Sequence, residues 1–201
     1  MIKIGITGSL ASGKTTASKI LSFRRGPLFS ADKAVKQLYK NKQFKSLVSR
    51  RFRIKNNSQI KKSLKKLILK NKANIKKLER IIHPLVRKKM KNFTLKNRNK
   101  KLLFYEIPLL IESKLMKHFN VVVLIKAKKQ LRLKRFKSKS GDKKLFNLLN
   151  NKQMNDEKKI KFCDHTVVNE KNLNILKKKL LVIINRYEWG FLRHRDYWFI
   201  F

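Results

Sequence analysis

Residues 2–16 read Ile2-Lys3-Ile4-Gly5-Ile6-Thr7-Gly8-Ser9-Leu10-Ala11-Ser12-Gly13-Lys14-Thr15-Thr16, and this stretch decides the fold. Residues 2–6 are short and rich in β-branched side chains, which predicts a strand. Thr7 to Gly13 is a loop of small residues. From Lys14 to Leu21 the spacing is helical, with Ala17, Ile20 and Leu21 on one side. Gly8 to Thr15 matches G-x-x-x-x-G-K-[ST] at every required position. Each residue type has a physical task. Gly8 and Gly13 let the backbone turn and present N–H groups to phosphate oxygens, and the helix that starts near Lys14 aims its positive dipole end at them. Lys14 is expected to reach the β- and γ-phosphates of ATP, and the Thr15 hydroxyl to hold Mg²⁺. The expected ATP-binding set is Gly8, Ala11, Ser12, Gly13, Lys14, Thr15 and Thr16. The plainer reading, a glycine-rich turn that merely joins a strand to a helix, is disfavoured because both flanks are right.

Outward from this loop, strands and helices alternate. Pro27-Leu28-Phe29 predicts a second strand. Asp32 opens a helix with Val35, Leu38 and Tyr39 on its apolar side, where a simple N-cap role would also suit an aspartate. Residues 41–100 read as basic helices, with Leu64, Leu67, Ile68, Ile75, Leu78, Ile81, Ile82, Leu85 and Val86 at helical spacing. Pro84 is expected to kink or delimit a helix, and Asn97 to Lys101 is a polar break. Leu102 to Tyr105 is a continuous apolar run, as in a strand buried on both faces of a parallel sheet, and it ends at Glu106-Ile107-Pro108. Val121 to Ile125 is a second such run. Residues 127–139 and 143–162 read as basic helices with a loop at Ser138 to Asp142. Thr166 to Val168 is a short strand and 172–188 a closing helix. The order argues an α/β domain: a P-loop three-layer fold with a central parallel five-stranded sheet flanked by helices. One domain over 1–201 is expected, with core 1–32, 100–126 and 164–201 and helical insertions at 33–99 and 127–163.

The chain has 201 residues, 42% of them hydrophobic, which is enough for a core. Its 54 Lys and Arg against 11 Asp and Glu give a net charge of +43. Such charge can mark a nucleic-acid or anionic-membrane binder. Here the lysines spread from Lys33 to Lys179 with few aromatics among them, so compositional drift toward lysine is favoured over a stacking platform. The field attracts polyanions such as ATP and binds RNA nonspecifically at low salt, but no specific nucleic acid is expected. Cys163 is the only cysteine, which excludes an internal disulfide, suits a reducing cytoplasm and reads as a small buried apolar residue. The run Met1 to Leu10 is broken by Lys3 and glycines, so no signal peptide is expected. No window approaches the ~18 apolar residues of a membrane span, so no membrane partner is expected. No Cys/His cluster has zinc spacing, which leaves Mg²⁺ as the expected metal. A monomer is expected.

Several segments, in this order, carry a further signal: the loop Gly8 to Thr16; Ser30-Ala31-Asp32 before a helix ending in Leu38-Tyr39; Ile82-His83-Pro84-Leu85-Val86; Pro108-Leu109-Leu110-Ile111-Glu112; Val121 to Ile125 with Gln130 and Arg135; and Gln153, Asp164 and Asn169. Together they resemble the dephospho-CoA kinase family from Ile4 to about Asn169. The resemblance implies ATP-dependent phosphorylation of the ribose 3′-hydroxyl of dephospho-CoA, giving CoA and ADP. It implies Asp32 as the carboxylate that takes the acceptor proton, with Lys14, Arg135 and Mg²⁺ neutralising charge on the transferred group. It implies that 33–99 binds substrate, with Asp32, His83 and Pro108 as substrate-binding residues, and that 127–163 closes over ATP as a lid. His83 on an apolar helical face can equally be a structural histidine. Glu106 is a candidate magnesium ligand, with a solvated strand-end charge as the alternative. Glu112 is read as a helix cap.

The sequence departs from the family at Ser30, in place of the first Asp of a pair. It departs at Ala11, in place of a glycine and tolerable if φ stays negative. Lys139 and Lys152 stand for arginines, keeping charge but losing the bidentate fork. The aromatic end from Tyr187 to Phe201, with Trp189, Phe191, Tyr197, Trp198, Phe199 and Phe201, is expected to pack its helix on the core. Two other functions remain open from the residues: another small P-loop kinase acting on a nucleoside, nucleotide or shikimate-like hydroxyl, or a basic RNA-binding protein with a relic ATP site.

Overall fold

The computed structural model describes residues 1–54, 59–71, 73–139 and 141–193, the last five by backbone alone. Five strands form one sheet in the order β2-β3-β1-β4-β5, with β1 Ile2–Gly8, β2 Leu28–Ser30, β3 Leu102–Glu106, β4 Val121–Lys126 and β5 His165–Val168. The ladders β1·β3, β1·β4 and β4·β5 are parallel, with Ile4 opposite both Phe104 and Val121. All five residues of β3 are buried, as are the first five of β4. That accounts for their unbroken apolar sequence: helices cover both faces of a parallel sheet, so no face needs polar residues.

Helix α1 (Lys14–Ser22) and the closing helix, which spans Leu173–Arg193, cover one face. Ala17 and Leu21 meet Ile4, Ile6, Phe104, Val123 and Ile125, and Leu176, Leu180 and Ile184 join the same cluster. Each such aliphatic side chain contributes about 1.5–3 kcal/mol by leaving water, so this cluster dominates the stability of the sheet. Gly5 lies where a Cβ would stand 2.7 Å from Leu110 Cδ1, with Phe119 next to it. Phe119 also meets Tyr105 edge-on at 5.2 Å.

The chain divides into two compact units, 1–29 with 99–201, and 30–98. The second holds α2 (Ala31–Leu38), α3 (Lys42–Phe52), α4 (Ile60–Lys70) and α5 (Ala73–Lys96). Its core is Leu38, Phe44, Val48, Phe52, Ile60 and Leu64, with Leu78, Ile81, Ile82, Leu85 and Val86 of α5 packed against it. Asn41 caps α3 by accepting from Phe44 N at 2.9 Å. Two expectations change here. Ser30, not Asp32, caps α2, accepting from Lys33 N at 3.4 Å, so Asp32 sits exposed in the first turn. Pro84 lies inside α5 and does not end it. Its ring removes one N–H, and apolar packing along the helix outweighs that loss.

In the first unit α6 (Lys129–Lys137), α7 (Lys143–Asn150) and α8 (Asp156–Ile160) follow β4, and the closing helix is α9. The single helix expected over 143–162 is therefore two. Asn155 accepts from Glu157 N at 3.3 Å, starting α8 afresh, while Met154 N donates to Glu112 and the Gln153 side chain accepts from Leu10 N. Among the described residues no helix is long and apolar enough to cross a membrane. The aromatic side chains from Trp189 to Phe201 lie outside the described residues.

Candidate active site

The phosphate loop joins β1 to α1 at the carboxyl end of the sheet. Gly8 has φ 150°, and a Cβ there would stand 2.2 Å from the Ile125 carbonyl oxygen. Gly13 has φ 100°, and a Cβ would stand 2.2 Å from Asn169 Nδ2. Both positions therefore need glycine on two counts. Ala11 has φ 59°, so the condition under which alanine was tolerable is not met: the residue adopts the left-handed conformation that glycine takes freely.

Lys14 is buried and donates from Nζ to the Ser9 carbonyl at 2.8 Å. The Thr15 hydroxyl donates to Glu106 Oε1 at 2.5 Å. Glu106 is 2% exposed, which sets aside the reading of a solvated strand-end charge. Among the described residues no group of three or more His, Cys, Asp or Glu could hold a metal. A hydroxyl beside one carboxylate is nevertheless a donor set of hard oxygens, the kind that suits Mg²⁺ when phosphates and water complete the shell. Pro108 is placed by its carbonyl, which accepts from Thr7 Oγ1 at 3.2 Å.

The outer side of the loop is tied to the segment after β4. Leu10 N donates to Gln153 Oε1 at 2.7 Å, and the Ser9 hydroxyl donates to Asp156 Oδ1. Arg132 Nη1 donates to the Leu10 carbonyl at 3.3 Å and to Asn150 Oδ1 at 2.8 Å, and its Nε donates to Ala127 O at 3.1 Å. The Arg132 guanidinium lies 5.8 Å from the centre of the Phe146 ring. Burial lowers its pKa, and the nearby Asp156 carboxylate opposes that shift. Arg135 Nη1 donates to Ser12 O at 3.4 Å and Nη2 to Asn169 O at 3.1 Å. Asn169 Nδ2 donates to Ser12 O at 2.9 Å, closing the ring of contacts around Gly13.

Glu112 is not a helix cap. Its Oε1 accepts from Met154 N at 3.0 Å and lies 3.0 Å from Nζ of Lys159, a fully buried lysine whose approach is ionic rather than a well-directed hydrogen bond. Glu112 thus fixes the turn between α7 and α8.

The structure brings together Gly8, Ala11, Ser12, Gly13, Lys14, Thr15, Glu106, Pro108 and Arg135, and Thr16 lies exposed on the first turn of α1. Asp32 and His83 belong to the second unit, Asp32 exposed on α2 and His83 half-buried on α5. Arg132 and Asp156 were missed. The available signal for Arg132 was its type: α6 carries Lys129, Lys134 and Lys137, and its two arginines are the ones that reach the loop. Asp156 had no signal, because its partner Ser9 lies 147 residues away.

The dephospho-CoA kinase family model matches residues 2–174. The dephospho-CoA kinase of Bartonella quintana is 34% identical over 186 residues, covering 90% of this chain and 95% of that protein. That of Rickettsia prowazekii is 33% identical over 189 residues, covering 94% and 98%. Among solved structures, dephospho-CoA kinase from Campylobacter jejuni matches with TM-score 0.65 at 28% identity, covering 94% of this chain and 98% of that one. Shikimate kinase from Acinetobacter baumannii, with TM-score 0.56 and 13% identity over 92% of this chain and 94% of that one, shares the fold alone. This chain, with its glycine loop, its Thr15–Glu106 pair and a family match across most of its length, belongs to the dephospho-CoA kinase family.

Proposed function

We propose that the chain transfers the γ-phosphoryl group of ATP to the ribose 3′-hydroxyl of dephospho-CoA, giving coenzyme A and ADP. The observation that carries the nucleotide half of this reading is the loop itself: Lys14 held at Ser9 O, and Thr15 held against a buried carboxylate. Family membership carries the acceptor half.

The acceptor oxygen forms a bond to the γ-phosphorus while the bond from that phosphorus to the bridging oxygen of ADP breaks. Such a transfer needs positioning and charge neutralisation more than covalent chemistry. Lys14 and the loop N–H groups bind the phosphates. Arg135, whose Nη1 lies 4.0 Å from where a Gly13 Cβ would stand, adds a cation for charge that builds in transfer. Thr15 and Glu106 would hold Mg²⁺, which supplies charge neutralisation across the phosphates. Asp32 receives the acceptor proton, a role supported by its family position in the first turn of α2, directly after a sheet strand. His83 and Pro108 contact the acceptor, and the segment 127–163 excludes water.

The test is purified protein with ATP and Mg²⁺, offered dephospho-CoA, nucleosides, nucleotides and shikimate. Turnover of dephospho-CoA is expected. Turnover of a nucleotide with none of dephospho-CoA refutes the reading. Lys14→Ala abolishes turnover, whereas Asp32→Asn keeps ATP affinity and slows transfer roughly 10²–10⁴-fold.

A further inference from the structure

We propose that Asp156 is a positioning residue for the reaction, acting on Lys14 through Ser9; the inference rests on the kinase reading above. Ser9 is bonded at both ends. Its hydroxyl donates to the Asp156 carboxylate and its carbonyl accepts from Lys14 Nζ at 2.8 Å. Ser9 is 3% exposed and Asp156 8%, so water does not compete well for either bond. The neighbouring peptide is held in the same way, Leu10 N by Gln153 and Leu10 O by Arg132. Two polar groups of consecutive loop residues are thus tied to the segment Gln153 to Asp156, and a third to Arg132 of α6.

That segment is itself fixed. Asp156 is the first residue of α8, and Asn155 caps the helix. Met154 N donates to Glu112, which also pairs with the buried Lys159 one turn into α8. Asp156 therefore presents its carboxylate from a rigid base. The lysine side chain has a flexible four-carbon stem, and a clamp of this kind gains from an acceptor that fixes where its ammonium waits. Fixing Ser9 fixes that acceptor.

The experiment measures binding of a fluorescent ATP analogue with Mg²⁺ and no acceptor, followed by kcat and KM for ATP and for dephospho-CoA. It compares wild type with Ser9→Ala, Asp156→Ala, Asp156→Asn and the Ser9→Ala/Asp156→Ala double variant, each held well below its melting temperature. Asp156→Ala weakens nucleotide affinity and kcat/KM for ATP on the order of 10-fold, as for loss of one bond to a charged group, and leaves KM for the acceptor unchanged. Asp156→Asn, which keeps an acceptor for the Ser9 hydroxyl, recovers most of the loss. The double variant is no worse than the more damaged single variant, because both remove the same bond. Additive losses, no rescue by asparagine, or unchanged affinity in a folded Asp156→Ala overturn the proposal. If Asp156→Ala does not fold, Ser9→Ala decides: unchanged nucleotide affinity overturns the proposal. A wild-type protein that binds nucleotide but leaves dephospho-CoA untouched fails the kinase reading instead, and the binding cycle still reports on Asp156.

Discussion

Ala11→Gly should stabilise the protein, against the usual cost of adding a glycine. Ala11 has φ 59°, inside the phosphate loop. An L-residue in the left-handed region carries about 1–2 kcal/mol of strain between Cβ and its own carbonyl. Glycine relieves that strain but gives the unfolded chain more freedom, which costs about 0.4–1 kcal/mol. The difference spans about 0–1.6 kcal/mol, and the midpoints leave about 0.8 kcal/mol in favour of glycine. For a chain of this size 1 kcal/mol moves the melting temperature by about 2–4 °C, so calorimetry should find a rise of roughly 1–4 °C. Lys114 is an internal control: it is exposed, has φ 54° and lies outside the phosphate loop. Lys114→Gly should give a similar gain. A melting temperature that is unchanged or lower in Ala11→Gly, with a rise in Lys114→Gly, would refute the strain argument for the loop.

Glu106→Gln keeps an acceptor for the Thr15 hydroxyl but removes the charge. Turnover should fall on the order of 10–100-fold and need more Mg²⁺ for half-saturation; an unchanged Mg²⁺ titration excludes Glu106 from the metal site. Burial, with Asp164 and Glu112 adding to it, pushes the Cys163 thiol up to about 11. Native protein should therefore react with iodoacetamide at neutral pH at least on the order of 100-fold more slowly than the unfolded chain, as followed by mass spectrometry. His165 Nε2 pairs with the Tyr187 hydroxyl at 2.6 Å, and burial, then Arg186, lower the imidazole pKa while Asp164 opposes them. A base whose folded pKa is depressed binds fewer protons in the native state, so its stabilisation is complete above the ordinary histidine value and is lost on acidification. Urea midpoints should drop from about pH 7 to pH 5, and His165→Gln should flatten that part of the profile; an equal slope in the variant rules His165 out.

The parts legible in the sequence are those where one residue type is demanded by local geometry. Gly8 and Gly13 need positive φ with no room for a Cβ, Lys14 and Thr15 follow by chemistry, and the buried strands need no alternation. What stayed hidden depends on partners far along the chain. Asp156 is bonded to a residue 147 positions away, and Gln153, named only for its place in the family pattern, has its partner 143 positions away. Between α7 and α8, Met154 N goes to Glu112 and Asn155 caps a new helix, which breaks the single helix expected there. Glu112 misled for a related reason: a cap was the local reading, and Met154 N and a buried lysine take its carboxylate instead. For Pro84 only the delimiting alternative falls, because the helix runs on past it.

The position of β1 at the centre of the sheet bears on how the protein is made. Ile2 pairs with Leu102, so the first strand finds its neighbour only after a hundred more residues have been synthesised. At roughly 5–20 residues per second, that is a wait of about 5–20 s during which an apolar strand has no ladder. The helical unit 30–98 is continuous in sequence and has its own core, so it can condense on the ribosome first. The sheet then zips late, around contacts of high sequence separation, which is the slow class of folding. A nascent chain arrested before β3 should expose residues 2–8 to proteases and chaperones. One arrested after β4 has left the exit tunnel should protect them.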